Sequence, residues 1–146
     1  MKADFAVILA AGDGKRMNSS SPAALKRVCG LSLVEWSIRA VLPCCENLPV
    51  VVQGSGREIE RALGGIARFA TQENPVGTAD ALRRALAQAP GFSGLVLVAH
   101  ANLPLLQSEY YQALVGAASR EGAATLVYSD ESCDCVVSAG AWCFAD

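Results

Sequence analysis

An α/β fold, a mostly parallel sheet flanked by helices, is what this sequence predicts, and three observations carry the prediction. Short apolar runs alternate with segments of helical period along 146 residues, the pattern of strands joined through covering helices. The runs at 5–10 and 95–99 are apolar throughout rather than at every second position, as strands buried on both faces are. Turn residues such as Pro43, Gly64 and Gly65 punctuate the segments, which keeps each element short.

Taken in chain order, residues 5–10 predict the first buried strand. Residues 33–41 predict a helix in which Leu33, Trp36, Ala40 and Val41 trace one apolar face, closed by Pro43. A second strand follows at 48–52 and ends in the turn Gly54-Ser55-Gly56. Residues 57–63 predict an amphipathic helix stopped by Gly64-Gly65. A short strand at 68–71 leads to Thr78, an expected N-cap for a helix through Gln88, with Asp80 in its favourable first turn. A central strand at 95–99 precedes a helix capped by Ser108 and running to about Arg120. A strand at 124–128 and one last strand supplied by Val136-Val137 and Trp142-Cys143-Phe144 complete the reading. A chain of this length is expected to form a single domain, residues 1–146, with enough side chains to bury a core.

Composition narrows the function. Hydrophobic residues make up 52% and charged ones 18%, which excludes a disordered or solvating segment. The net charge of -2 comes without any basic tract, so nucleic acid is not an expected partner. Asp13, Lys15 and Arg16 interrupt the first apolar run too early for a signal peptide. No run approaches the ~20 apolar residues needed to span a bilayer, so a cytoplasmic protein with no membrane partner is expected. Six cysteines, Cys29, Cys44, Cys45, Cys133, Cys135 and Cys143, lack zinc-site spacing, and free thiols are expected.

The segment that carries chemistry leaves the first strand as Leu9-Ala10-Ala11-Gly12-Asp13-Gly14-Lys15-Arg16-Met17. In open α/β sheets, ligands settle outside the carboxyl ends of the strands. Gly12 and Gly14 let backbone N–H groups approach an anion, and Lys15 and Arg16 add positive charge where phosphates lie. Arg16 brings a planar fork suited to phosphate oxygens. The spacing matches neither a Walker loop nor a dinucleotide fingerprint.

That segment resembles the signature loop of the sugar-1-phosphate nucleotidyltransferases, in particular the uridyltransferase half of bacterial bifunctional N-acetylglucosamine-1-phosphate uridyltransferases. Three further segments are similar and come in the family's order. Val50-Val51-Val52-Gln53-Gly54-Ser55-Gly56 resembles its second strand and turn, and Gln72-Glu73-Asn74-Pro75-Val76-Gly77-Thr78-Ala79 its base-reading segment. Leu97-Val98-Ala99-His100-Ala101-Asn102-Leu103-Pro104-Leu105-Leu106 resembles the strand that delivers its metal-binding aspartate. The resemblance implies a Rossmann-like sheet of the nucleotide-diphospho-sugar transferase type that binds a pyrimidine nucleoside triphosphate, UTP, for uridylyl transfer to a sugar 1-phosphate. It places Leu9, Ala10, Ala11, Gly12, Gly14 and Arg16 on the nucleotide, Arg16 also in catalysis, and Gln72, Gly77 and Thr78 on the base. Gln72 suits that task because a side-chain amide both donates and accepts.

Measured against the same family, the chain departs at three places. Ala23 stands after Pro22, where the family has a phosphate-contacting lysine, and Lys26 lies one turn further on. Asn102 stands where an aspartate binds Mg2+, and its carbonyl brings no negative charge to a hard dication. Most of the sugar-binding half has no counterpart, and Ser138 takes the place of a sugar-binding asparagine. Turnover is therefore expected to be weak or lost, and the alternative is a non-catalytic nucleotide-binding module acting as a sensor or partner subunit. Apolar surface uncovered by the missing half makes a homodimer an expected partner.

Other side chains have plainer readings. His100, beside Asn102 at a strand end, fits packing better than catalysis. Asp80 reads as a helix-start charge, Asp130, Glu131 and Asp134 as a solvated turn, and Arg83-Arg84 as an exposed face. Tyr110-Tyr111 and Trp36 fit helix packing better than base stacking.

Overall fold

A computed structural model describes residues 1–12, 21–74, 76–130 and 133–145. The expected mostly parallel sheet is there, with six strands. Strand β1 (Phe5–Leu9) lies in the middle and pairs in parallel with β4 (Val50–Gly54) and β6 (Leu95–His100), and β5 (Arg68–Gln72) extends the sheet in parallel beyond β4. On the other side β8 (Cys133–Ala145) is inserted antiparallel between β6 and β7 (Ala123–Asp130), giving the order β5-β4-β1-β6-β8-β7. The two apolar stretches expected to supply a last strand both lie in β8.

Burial explains why the central strands read as unbroken apolar runs. Alternate residues of β1 serve different layers. Ala6 and Ile8 join Val51, Leu97 and Ala99 under α1 (Leu33–Val41), α2 (Glu58–Leu63) and α4 (Ser108–Glu121). Phe5, Val7 and Leu9 join Val50, Val52, Val96 and Val98 under α3 (Thr78–Leu86). Each side chain taken from water contributes about 25 cal/mol per Å2 of apolar surface, and both faces of β1 gain it.

Helix α1 has the bounds expected of it, and the reason sits at its start. Ser32 Oγ accepts from the Glu35 N–H at 3.3 Å, while Glu35 Oε2 accepts from the Ser32 N–H at 2.7 Å. This reciprocal cap satisfies two backbone donors that a helix start leaves open. Its buried face differs from the expected one: Leu33, Val34, Ser37, Ile38 and Val41 point inward. Trp36 and Ala40 are only half-buried, because the sheet and α4 take the neighbouring stripe, and the Trp36 indole donates to the Val28 carbonyl at 2.8 Å.

Two expected caps shift by one residue. Gly77, at φ 126°, is the N-cap of α3, and Thr78 is its first helical residue. Gln107 rather than Ser108 precedes α4. A hairpin that the apolar pattern does not announce, β2 (Arg27–Val28) and β3 (Leu31–Ser32), turns through Cys29 and Gly30, with φ of 49° and 87°. Both turn residues adopt the positive φ that a type I′ two-residue hairpin requires. Tyr111 is buried in the core as expected of helix packing, while Tyr110 is exposed. Cys44, Cys45 and Cys143 are buried free thiols and Cys29 is an exposed one. Burial pushes both Cys45 and Cys143 up to about 11. No helix among the described residues is long and apolar enough to cross a membrane.

Candidate functional site

The parallel strands β5, β4, β1 and β6 deliver the ends of their chains to one edge of the sheet, and that edge holds the described residues singled out in the sequence. Where the chain leaves β1 it is pinned on both sides. The Ala10 N–H donates to the Val52 carbonyl at 2.8 Å, and the Leu9 carbonyl accepts from the Ala101 N–H at 3.0 Å. Ala10 is therefore buried, Ala11 half-buried and Gly12 exposed. A methyl group built onto Gly12 meets nothing within 4 Å, so its backbone is open to a ligand.

A cleft of about 200 Å3 begins at this point. Residues 10–12 and Pro22 form one wall, and residues 53–56 with Glu58 and Ile59 form the other. The second wall is held by Gln53, which is fully buried. Its Oε1 accepts from the Glu60 N–H at 3.0 Å, and its Nε2 donates to Glu60 Oε2 at 2.9 Å. Arg57, at a left-handed φ of 55°, closes the turn and reaches both Glu60 oxygens at 2.8 and 2.9 Å. The Arg57 contact and the Gln53 amide hold the Glu60 carboxyl below the usual carboxylate range, against an opposing effect of burial. Gln53 and Ser55 were visible in sequence as part of a glycine turn, yet nothing local marks them as cleft wall. Their role depends on β4 lying beside β1.

Two strands away from β1, a second group gathers around Gln72 at the end of β5. Gln72 is 2% exposed, and its Nε2 donates to the Gly77 carbonyl at 3.1 Å and to Asp80 Oδ2 at 2.9 Å. Asp80 also accepts from Arg83 and Arg84, each at 2.8 Å. Those guanidinium groups and the Gln72 amide hold its carboxyl far below the usual range. Asp80 is thus the hub of a network rather than a helix-start charge alone, and its partners are Arg83, which is exposed as expected, and Arg84, which is half-buried. Gly77 and Thr78 are exposed beside it. At φ 126° Gly77 has a backbone that side-chain-bearing residues rarely adopt.

The structure thus brings Leu9, Ala10, Ala11 and Gly12 together with the β4 turn. It sets Gln72, Gly77 and Thr78 in a separate group on the same edge, outside the wall of that cleft. Gly14 and Arg16 lie outside the described residues. Asn102 is exposed in the turn after β6. Among the described residues, no group of three or more His, Cys, Asp or Glu side chains is placed to hold a metal ion. His100 is half-buried with its ring 5.6 Å from that of Trp142, and burial lowers its pKa. Ala23 opens a 3-10 turn (Ala23–Leu25) beside the cleft's Pro22, and Lys26 ends it.

Comparison with known proteins gives the same picture at the level of the fold. The family described as the MobA-like NTP transferase domain matches residues 6–145. The bifunctional protein GlmU of Pelotomaculum thermopropionicum is 39% identical over 130 residues, which is 88% of this chain and 28% of that protein. GlmU of Lactobacillus delbrueckii subsp. bulgaricus is 34% identical over 131 residues, 89% of this chain and again 28% of that protein. The chain therefore spans little more than a quarter of the curated relatives it matches. Among solved structures, Rv0371c from Mycobacterium tuberculosis H37Rv superposes over 99% of this chain and 72% of its own, with a TM-score of 0.77 at 15% identity. The 2-C-methyl-D-erythritol 4-phosphate cytidylyltransferase of Thermus thermophilus covers 99% of this chain and 70% of its own, with a TM-score of 0.68 at 21% identity. These two likenesses establish the fold.

Proposed function

This chain belongs to the MobA-like NTP transferase domain family, and on that premise we propose that it binds a pyrimidine nucleoside triphosphate, UTP, at the edge where β1 ends. The observation that carries this is the cleft in which residues 10–12, entered from a β1 end held by the Ala10–Val52 and Ala101–Leu9 hydrogen bonds, face the glycine turn of β4. Gly12, Gly14 and Arg16 hold phosphates in this reading, Leu9, Ala10 and Ala11 give backbone contacts, and Gln72, Gly77 and Thr78 read the base. The reaction class is uridylyl transfer to a sugar 1-phosphate such as N-acetylglucosamine 1-phosphate, the α-phosphate passing to the sugar phosphate as pyrophosphate leaves.

Turnover is weak or absent on the same reading. Replacing one charge-assisted phosphate contact, as Ala23 does, costs about 2–4 kcal/mol of transition-state stabilisation, on the order of 10²–10³ in rate. Asn102 offers neutral oxygen where a hard dication prefers carboxylate, so Mg2+ enters with the triphosphate. Residues 1–146 act as one nucleotidyltransferase-like domain, in the cytoplasm, and pair as a homodimer. Sedimentation as a monomer at high concentration would remove the pairing.

The test is calorimetric titration of UTP, CTP, ATP and GTP with and without Mg2+, followed by a product assay with N-acetylglucosamine 1-phosphate. Preferred binding of UTP that barely depends on Mg2+, with little product, is the expected result. Binding of none of the four overturns the reading. Asn102 favours a second reading, a non-catalytic module that senses nucleotide or serves a partner. The double substitution Ala23→Lys and Asn102→Asp separates the two: activity created from nothing supports the module, and turnover already present in the natural protein excludes it.

A further inference from the structure

We propose that Asp80 is a specificity-determining positioning residue, which holds the Gln72 amide so that only its oxygen is left to read a nucleobase. The site then accepts a base that donates an N–H to that oxygen, as uracil does at N3, and disfavours one with a bare ring nitrogen there, as in cytosine. This inference rests on the nucleotide-binding reading above and adds to it the origin of base choice.

A primary amide carries two N–H donors and one carbonyl. Both donors of Gln72 have acceptors within its own chain, the Gly77 carbonyl at 3.1 Å and Asp80 Oδ2 at 2.9 Å. Turning the amide over would set its oxygen against a carbonyl and a carboxylate at once, two repulsive contacts in a side chain only 2% exposed. The direction of the amide follows from this chemistry. Asp80 is itself fixed by Arg83 and Arg84, each at 2.8 Å, and these arginines keep it ionised and so an acceptor only. Its place in the first turn of α3, which starts directly after Gly77, brings both acceptors to the same nitrogen. The outcome is a glutamine that cannot donate to a ligand. Without Asp80 the same side chain reads donors and acceptors alike and tells uracil from cytosine poorly.

Three titrations into the natural protein and into Asp80→Asn test this, using UTP, CTP and 3-methyluridine triphosphate, whose N3 lacks a proton. The natural protein should bind UTP at least roughly tenfold more tightly than either of the others, the scale of one lost hydrogen bond. Asp80→Asn, with its thermal midpoint recorded as a control for folding, should narrow both ratios while retaining nucleotide binding. Gln72→Ala should abolish both preferences. If the natural protein binds 3-methyluridine triphosphate as well as UTP, Gln72 does not act as an acceptor and the inference falls, whether or not Asp80→Asn folds. If UTP binds well and Asp80→Asn keeps the natural ratios, the inference falls and the nucleotide reading stands. If the natural protein binds none of the three, both fall together.

Discussion

His100 carries its imidazole into a half-buried seat against Trp142, and burial alone lowers its pKa from 6.5. The folded protein therefore binds fewer protons here than the unfolded chain does. Stability from the neutral ring is present above about pH 6.5 and is lost as pH falls below it, because protonation then favours the unfolded state. A thermal midpoint followed by circular dichroism should drop between about pH 7 and pH 5.5, and His100→Gln should lack that part of the drop. An equal fall in both proteins would assign it to other groups. His100 was legible from sequence as a packing residue at a strand end. The Gln72 network was not, because its partner Asp80 lies eight residues on and meets it only once α3 starts at Thr78.

At the scale of elements, the strongest local signal is the start of α1. Ser32 and Glu35 share three hydrogen bonds, among them one from the Ser32 hydroxyl to Glu35 Oε2 at 2.6 Å, and the Ser32 hydroxyl and backbone N–H hold the Glu35 carboxyl below its usual range. Ser32→Ala should cost about 1–2 kcal/mol, read as a lower urea midpoint with unchanged slope. A loss of only a few tenths would mean that packing of Val34, Ile38 and Val41 fixes the helix without its cap. Helix α1 was readable in its bounds because Pro43 stops it, and strands β1 and β6 because burial on both faces leaves an unbroken apolar run. The β2–β3 hairpin escaped because its two strands hold two residues each, too few to alternate visibly. The caps of α3 and α4 moved by one residue for a related reason. Thr78 and Ser108 are residue types that cap well, but the chain turns into α3 through the positive φ of Gly77, which leaves Thr78 already helical.

Across the whole molecule, the layers were readable and the order of the strands was only partly so. Alternating runs and helices imply parallel pairing of β1, β4, β5 and β6, since short connections force neighbours. The antiparallel insertion of β8 between β6 and β7 depends on partners far apart in sequence, Leu95 with Ala145 and Ala99 with Ala141, and no local pattern encodes it. A chain stopped after residue 130 should therefore fail to unfold cooperatively in urea, because β6 loses the strand that links it to β7. A sharp transition in that shortened chain would show that the four parallel strands with their helices stand alone.

The same insertion sets an order of events during synthesis. The other strands of this sheet all precede β8 in the chain, yet β8 occupies an inner position among them. Until it arrives, one flank of β6 exposes unsatisfied peptide groups along an apolar strand, a template for pairing with other chains. The nascent protein thus passes through a sticky interval that the finished one does not have. Its yield at high expression should be governed by how fast translation runs from β7 through β8, more than by the stability of the folded form.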